Sequence, residues 1–111
     1  MMQKLVNYHS NLTHGTVFRF PGSYPHEKYV DLILVEFPDS DRKFGLVVST
    51  GHKAGLILIK LPKEAESNNF AGIDRQWVID NWNKWIYETC NIDDVYVIQN
   101  YPIPAIDYSK P

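Results

Sequence analysis

The sequence lacks the features that mark secreted and membrane-spanning proteins. It contains a single cysteine, Cys90, so no disulfide can form within the chain. The N-terminal residues lack the long apolar region of a secretory signal, and no apolar run approaches the roughly 20 residues that span a bilayer. We therefore expect a cytoplasmic protein that does not enter a membrane.

An excess of one charge is also missing. The formal net charge is −2, and the basic residues form no stripe, whereas nucleic-acid-binding proteins usually cluster Lys and Arg on one face. We therefore expect no direct contact with nucleic acid. The slight acidity would suit a basic partner.

The sequence does contain the material for one hydrophobic core. Of its 111 residues, 44% are apolar and 14% are aromatic, which is ample for a domain of this length. No internal repeat, low-complexity segment or long linker divides the chain. We expect a single domain over residues 1–111.

Five apolar segments rich in β-branched and aromatic residues are bounded by turn-forming residues. The predicted strands are residues 16–20, 29–37, 44–50, 56–61 and 95–98. The second segment is almost continuously apolar, which is typical of a central strand. Between the third and fourth lies a five-residue loop with Gly51 and Gly55 at its ends, where positive φ is least costly. These two strands are predicted to form a hairpin.

After Asp74 the apolar residues recur every three or four positions, which indicates an amphipathic helix. Asp74 is a plausible N-cap, and the pattern is lost near Glu88. Trp82 and Trp85 lie on the predicted buried face, and Trp77 borders it. The helix is therefore expected to cover a sheet with its tryptophans.

Strands followed by one helix and a further strand predict an α+β domain. We expect a mainly antiparallel β-sheet of about five to six strands, with one Trp-rich amphipathic helix packed on one face.

The sequence offers no pattern of catalytic or metal-binding residues. The four histidines share no helix face and no ligand spacing with Cys90: His9, His14, His26 and His52. The loop at residues 49–55 lacks the residue order of a phosphate-binding loop and precedes a strand rather than a helix. Cys90 is expected to be a small buried apolar residue. We predict no enzyme activity, no cofactor and no metal.

Several segments together resemble a known family: GLVVSTGHKAGL at 45–56, LPKE at 61–64, the tryptophan-rich stretch from Trp77 through NWNKW at 81–85, Cys90, and DVY at 94–96. The combination resembles the immunity proteins of bacterial polymorphic-toxin and contact-dependent growth inhibition systems, over about residues 45–101. This resemblance implies a protein that binds the C-terminal toxin domain of a large exoprotein and blocks it without catalysis. Many such toxins are nucleases, whose active surfaces are basic. The resemblance thus suggests neutralisation by occlusion of a nuclease active site.

Contacts with such a toxin are expected from loop carboxylates, from the hairpin loop and from a tail tyrosine. The candidate contact residues are Asp39, Asp41, His52, Lys53, Asp93, Asp94 and Tyr101.

Two other interpretations are open. One is a small adaptor or regulatory protein-binding module, with a variant in which it forms a homodimer that pairs an exposed strand edge at residues 95–98. A small hydrolase or nucleic-acid-processing enzyme would instead need His52 and a carboxylate gathered in one pocket.

Overall fold

The structure is a computed structural model and describes residues 2–22, 28–101 and 109. His26 and the proline-containing tail at 102–104 therefore lie outside the described residues. Over the described part of the chain, six strands form one antiparallel sheet with the order β1-β6-β2-β3-β4-β5. The strands are β1 (Met2–Lys4), β2 (Val17–Pro21), β3 (Tyr29–Glu36), β4 (Phe44–Val48), β5 (Ile57–Lys60) and β6 (Tyr96–Ile98).

The α+β prediction is confirmed, and so is the inner position of the second predicted strand. β3 lies between β2 and β4 and pairs with both along most of its length. The β4–β5 hairpin is also as predicted, because Gly51 (φ 71°) and Gly55 (φ 95°) adopt the left-handed conformation at the two ends of its loop.

The edges of the sheet differ from the sequence prediction. β1, which the sequence analysis did not predict, pairs with β6, and β6 also pairs with β2. The interpretation of residues 95–98 as an exposed edge is therefore wrong, since the main chain of this strand is paired on both sides. The two edge strands of the described sheet are β1 and β5.

One helix, α1 (Arg75–Asn81), continues into a π-helical turn at Trp82–Ile86. Asp74 is the N-cap, as predicted, because its Oδ2 accepts a hydrogen bond of 2.9 Å from the Trp77 backbone N–H. The Tyr87 N–H bonds the Trp82 carbonyl at 2.9 Å and closes the wider final turn. The helical segment ends two residues before the predicted end near Glu88.

The core lies between this helical segment and one face of the sheet. Trp82 is fully buried, with its ring centroid 5.8 Å from that of Phe18 and 5.3 Å from that of Phe20. Trp77 and Trp85 are half-buried at the border of the core, with ring centroids 6.0 Å apart. The helix therefore covers β2 with Trp82 and leaves the other sheet face, which we call the far face, without a helix among the described residues.

Candidate functional site

The predicted contact residues lie at separate places on the molecule. Asp39 and Asp41 are exposed on the turn between β3 and β4, whereas His52 and Lys53 are exposed on the loop at the opposite end of β4. The five residues of β4 lie between these two groups and separate them by at least about 13 Å, at a rise of about 3.3 Å per residue.

Asp93 and Asp94 form a third group. They are exposed in the short 3-10 turn Ile92–Asp94 that precedes β6, at the same end of the sheet as the β4–β5 loop. β6 and β4 are three strand positions apart, which corresponds to about 14 Å. The four carboxylates therefore do not form one acidic patch. Their role in binding stays a prediction.

Tyr101, the last predicted contact residue, belongs to a polar cluster on the far face. The centre of this cluster is Asp31, whose side chain is only 1% exposed although it is ionisable. Arg19 donates to its two carboxylate oxygens from Nε at 2.7 Å and from Nη2 at 2.8 Å. The Tyr101 hydroxyl donates to Asp31 Oδ2 at 2.9 Å and also meets the Ser49 hydroxyl. The cluster thus fixes the chain that follows β6 onto the sheet.

Contacts within this cluster shift the pKa values of two of its members, Arg19 and Tyr101. The hydrogen bond with Asp31 raises the pKa of Arg19, so the guanidinium stays charged. Burial, with a smaller effect of the hydrogen bond to Asp31, raises the pKa of Tyr101. Sequence analysis missed Asp31. The available signal was a single carboxylate within an otherwise apolar strand, which requires a partner when the strand is buried.

The most exposed apolar surface is the edge strand β5 and the residue before it. Leu56, Ile57 and Leu58 are 60%, 51% and 43% exposed. They are consecutive, whereas singly scattered exposed apolar residues are ordinary in soluble proteins. β5 pairs with β4 only, and its register shifts opposite Leu46 and Val47, which is a β-bulge that leaves Leu58 outside the regular pairing.

A cavity of about 220 Å3 lies over the sheet between this edge and the helical segment, and residues of β2 and β3 line it as well. Leu58 and Val48 line it on the hairpin side, and Tyr87, at the end of the helical segment, lines it on the other side. Lys53, one of the predicted contact residues, also lines this cavity. An apolar cavity with a single cation is suited to an apolar side chain that has a negative neighbour.

The hairpin region is unusual in its charge. Residues 42–63 hold five of the 11 Lys and Arg residues and none of the 13 Asp and Glu residues. The rest of the chain has six basic and 13 acidic residues, a net charge of −7. One of the bases, Lys60, lies on β5, and two others lie near it: Lys53 is in the loop before the strand, at the cavity, and Arg42 Nη1 donates to the Lys60 carbonyl at 3.2 Å. The prediction that the basic residues form no stripe does not bear on this segment, whose charge is concealed by the net charge of −2.

Cys90 and His14, two side chains of types that catalysis commonly uses, are engaged in other contacts. Among the described residues, no three His, Cys, Asp or Glu side chains are placed to hold a metal ion. Burial and the nearby Asp94 raise the pKa of the Cys90 thiol, which disfavours the reactive thiolate. His14 Nδ1 accepts a hydrogen bond of 2.9 Å from the Glu36 backbone N–H.

No described helix is long and apolar enough to cross a bilayer.

The fold and this surface define a small α+β domain whose distinctive feature is an exposed, apolar and basic sheet edge. A model of the family described as Immunity protein 45 (Imm45) matches residues 5–97. The chain therefore belongs to the Immunity protein 45 family, which confirms the resemblance to immunity proteins. No curated protein and no solved structure matches the chain significantly.

Proposed function

We propose that this chain binds a cognate toxin domain and neutralises it, as an immunity protein that performs no catalysis itself. The observation that carries the proposal is the match to the Immunity protein 45 family over residues 5–97, which includes the whole sheet except β1 and the end of β6. Exposed apolar residues beside a cavity on β5 support a protein-binding role, because burial of such residues drives protein association.

We propose further that the toxin is a nuclease delivered as the C-terminal domain of a large exoprotein, and that binding covers its active site in the cytoplasm. Support comes from the net charge of −7 outside residues 42–63, because the substrate-binding surface of a nuclease is basic. A complex of this kind buries about 1,200 to 2,000 Å2 in total.

The experiment that tests neutralisation is co-expression. The untagged chain is expressed with the tagged toxin domain encoded beside it, and growth and co-elution are measured. We expect restored growth and elution of the two proteins in a fixed ratio. Continued toxicity with separate elution would contradict the immunity function.

Titration of the purified toxin tests the nuclease and occlusion steps. Its cleavage of DNA and RNA substrates should stop at one equivalent of this chain, and excess substrate should slow complex formation because both compete for one surface. Cleavage of neither substrate would contradict the nuclease assignment. Full inhibition without competition would contradict active-site occlusion but leave the immunity function standing.

A further inference from the structure

The outer side of β5 is an edge at which another strand can be added. β5 pairs with β4 only, and no described strand of this chain lies beyond it. Natural edge strands are commonly protected by shortness, by a bulge or by lysine, and β5 has all three: four residues, a shifted register and Lys60. Yet Leu56, Ile57 and Leu58 leave this same edge apolar. An edge that is protected from indiscriminate pairing but remains apolar is suited to one specific partner.

The cavity gives the edge a means of selecting that partner. Leu58, displaced by the bulge, forms part of the cavity wall with Val48, and Lys53 lies at the same cavity. In strand addition, main-chain hydrogen bonds contribute affinity, while pockets for alternate side chains contribute specificity. A strand lying along β5 could direct one side chain past Leu58 into this cavity.

The charge of the edge decides the chemistry of the partner. Lys60 lies on β5, and Arg42 and Lys53 lie near it. Among the described residues, no carboxylate lies within 4.0 Å of these three side chains, since the ion pair of this part of the chain joins Arg19 and Asp31. We propose that β5 receives an extended acidic strand of the toxin domain, one of whose apolar side chains enters the cavity beside Lys53. This inference rests on the proposed immunity function, but it does not require the toxin to be a nuclease.

A second copy of this chain is a poorer occupant of the edge. Antiparallel pairing of two β5 strands would bring together two segments that each carry five basic and no acidic residues at 42–63. Repulsion between two such basic segments across one interface would destabilise this dimer. An acidic strand has no such penalty.

The test uses two substitutions at one exposed position and a control at the opposite edge. Leu56 is 60% exposed, and Met2 on β1 is 47% exposed with its Sδ 3.9 Å from Arg19 Nη1, which a glutamate at position 2 can also contact. The full-length chain and its Leu56→Glu, Leu56→Lys and Met2→Glu variants are titrated calorimetrically with the toxin domain encoded beside it. Circular dichroism checks that each variant is folded.

We expect Leu56→Glu to weaken binding at least about 30-fold, the effect of losing a central interface contact. Leu56→Lys should bind at least about tenfold more tightly than Leu56→Glu, since it attracts an acidic strand. Met2→Glu should bind as the unaltered chain does. Hydrogen exchange at the amides of residues 56–60 should slow in the complex, and raising the salt concentration should weaken binding.

Each other outcome has a separate meaning. If the unaltered chain does not bind the toxin domain, the proposed function fails and the inference with it. If both Leu56 variants bind as tightly as the unaltered chain, only the docking edge is wrong. The same holds if the β5 amides exchange in the complex as fast as in the free protein. A dimer in light scattering that Leu56→Glu dissociates would show that a second copy occupies β5, and equal weakening by Glu and Lys would overturn the acidic strand.

Discussion

Asp31 is the residue on which the far face depends most. Its buried carboxylate has hydrogen bonds from Arg19 and Tyr101, and its backbone N–H donates to Thr50 Oγ1 at 3.0 Å. A buried carboxylate is tolerated only when its charge is compensated in this way. The sequence reveals a carboxylate in an apolar strand, but it does not reveal that the compensating arginine lies 12 residues earlier and a tyrosine donor 70 residues later.

Asp31→Asn should lower the free energy of unfolding by about 2 kcal/mol, because the amide keeps the shape but loses two charge-assisted hydrogen bonds from Arg19. Tyr101→Phe, which removes only the hydroxyl, should cost about 1 kcal/mol. Urea unfolding measures both changes. The two residues share a hydrogen bond, so the double variant should lose less than the sum of the single losses. Strict additivity would contradict the coupling.

The raised pKa values of Tyr101 and Cys90 predict a loss of stability in alkali. In each case the folded protein favours the protonated group more than the unfolded chain does. The stabilisation is complete below the ordinary pKa and disappears as pH rises through the raised value. The free energy of unfolding should therefore fall above about pH 9 for Cys90 and about pH 10 for Tyr101. Urea unfolding across this range should show a shallower fall in Cys90→Ala and in Tyr101→Phe.

Trp82 is a residue whose burial is correctly predicted by the helical periodicity of the sequence. The spacing predicted its burial, and the structure places it in contact with Phe18 and Phe20. We expect Trp82→Ala to cost about 3 to 5 kcal/mol in urea unfolding, since it leaves a cavity. Trp85→Ala, at a half-buried position, should cost clearly less. A loss under about 1 kcal/mol for Trp82→Ala would contradict the packing.

At the scale of elements, the helix was predictable at its start but not at its end. The N-cap is a local device, and Asp74 is visible in the sequence. The end depends on the π turn at Trp82–Ile86, whose main chain widens while Asn83 Nδ2 donates to the Tyr87 and Glu88 carbonyls. Such side-chain bonds to a helix end depend on the tertiary position of the chain. Periodicity alone extends the regular helix too far.

The N-cap gives the prediction for this element. Asp74→Ala should cost about 1 kcal/mol, because the Trp77 N–H loses its acceptor at the start of α1. Asp80→Ala is the matched control: Asp80 is exposed on the same helix and accepts only the Gln76 side chain. It should change stability by less than about 0.5 kcal/mol in the same thermal or urea unfolding experiment. Equal losses would show that charge rather than capping is responsible.

At the scale of the whole molecule, the strands inside the sheet were predictable and its edges were not. Turn residues and apolar runs identify β2 to β6 locally. β1 has three exposed residues, so it has no apolar pattern and is a strand only because β6 is available to pair with it. The exposed β5 edge likewise follows from strand order, which requires long-range pairing. For this reason the sequence indicates His52 and Lys53 as candidate contact residues, since they lie in a glycine-bounded loop, but it does not indicate the exposed apolar edge next to them.

The sheet order predicts that β6 is indispensable. It lies between β1 and β2 and contributes the buried Val97 to the core. A chain that ends at Asn91 would expose Val17 and Phe18 and leave β1 without a partner. We expect this truncated chain to be unfolded by circular dichroism and rapidly cleaved by protease, while the full chain resists cleavage. Retention of native structure would contradict the central role of β6.

The pairing of Met2 with Ile98 also determines when the sheet can be completed during synthesis of the protein. β2 to β5 form successive hairpins and can pair as they emerge from the ribosome, but β1 must wait until β6 has been made, nearly a full chain later. Closing contacts so distant in sequence is slow. The β4–β5 hairpin is thus translated well before the far edge of the sheet is complete, and its apolar edge would be exposed to other nascent chains during that interval. The bulge and Lys60 on β5 oppose such pairing from the synthesis of the hairpin until a partner binds.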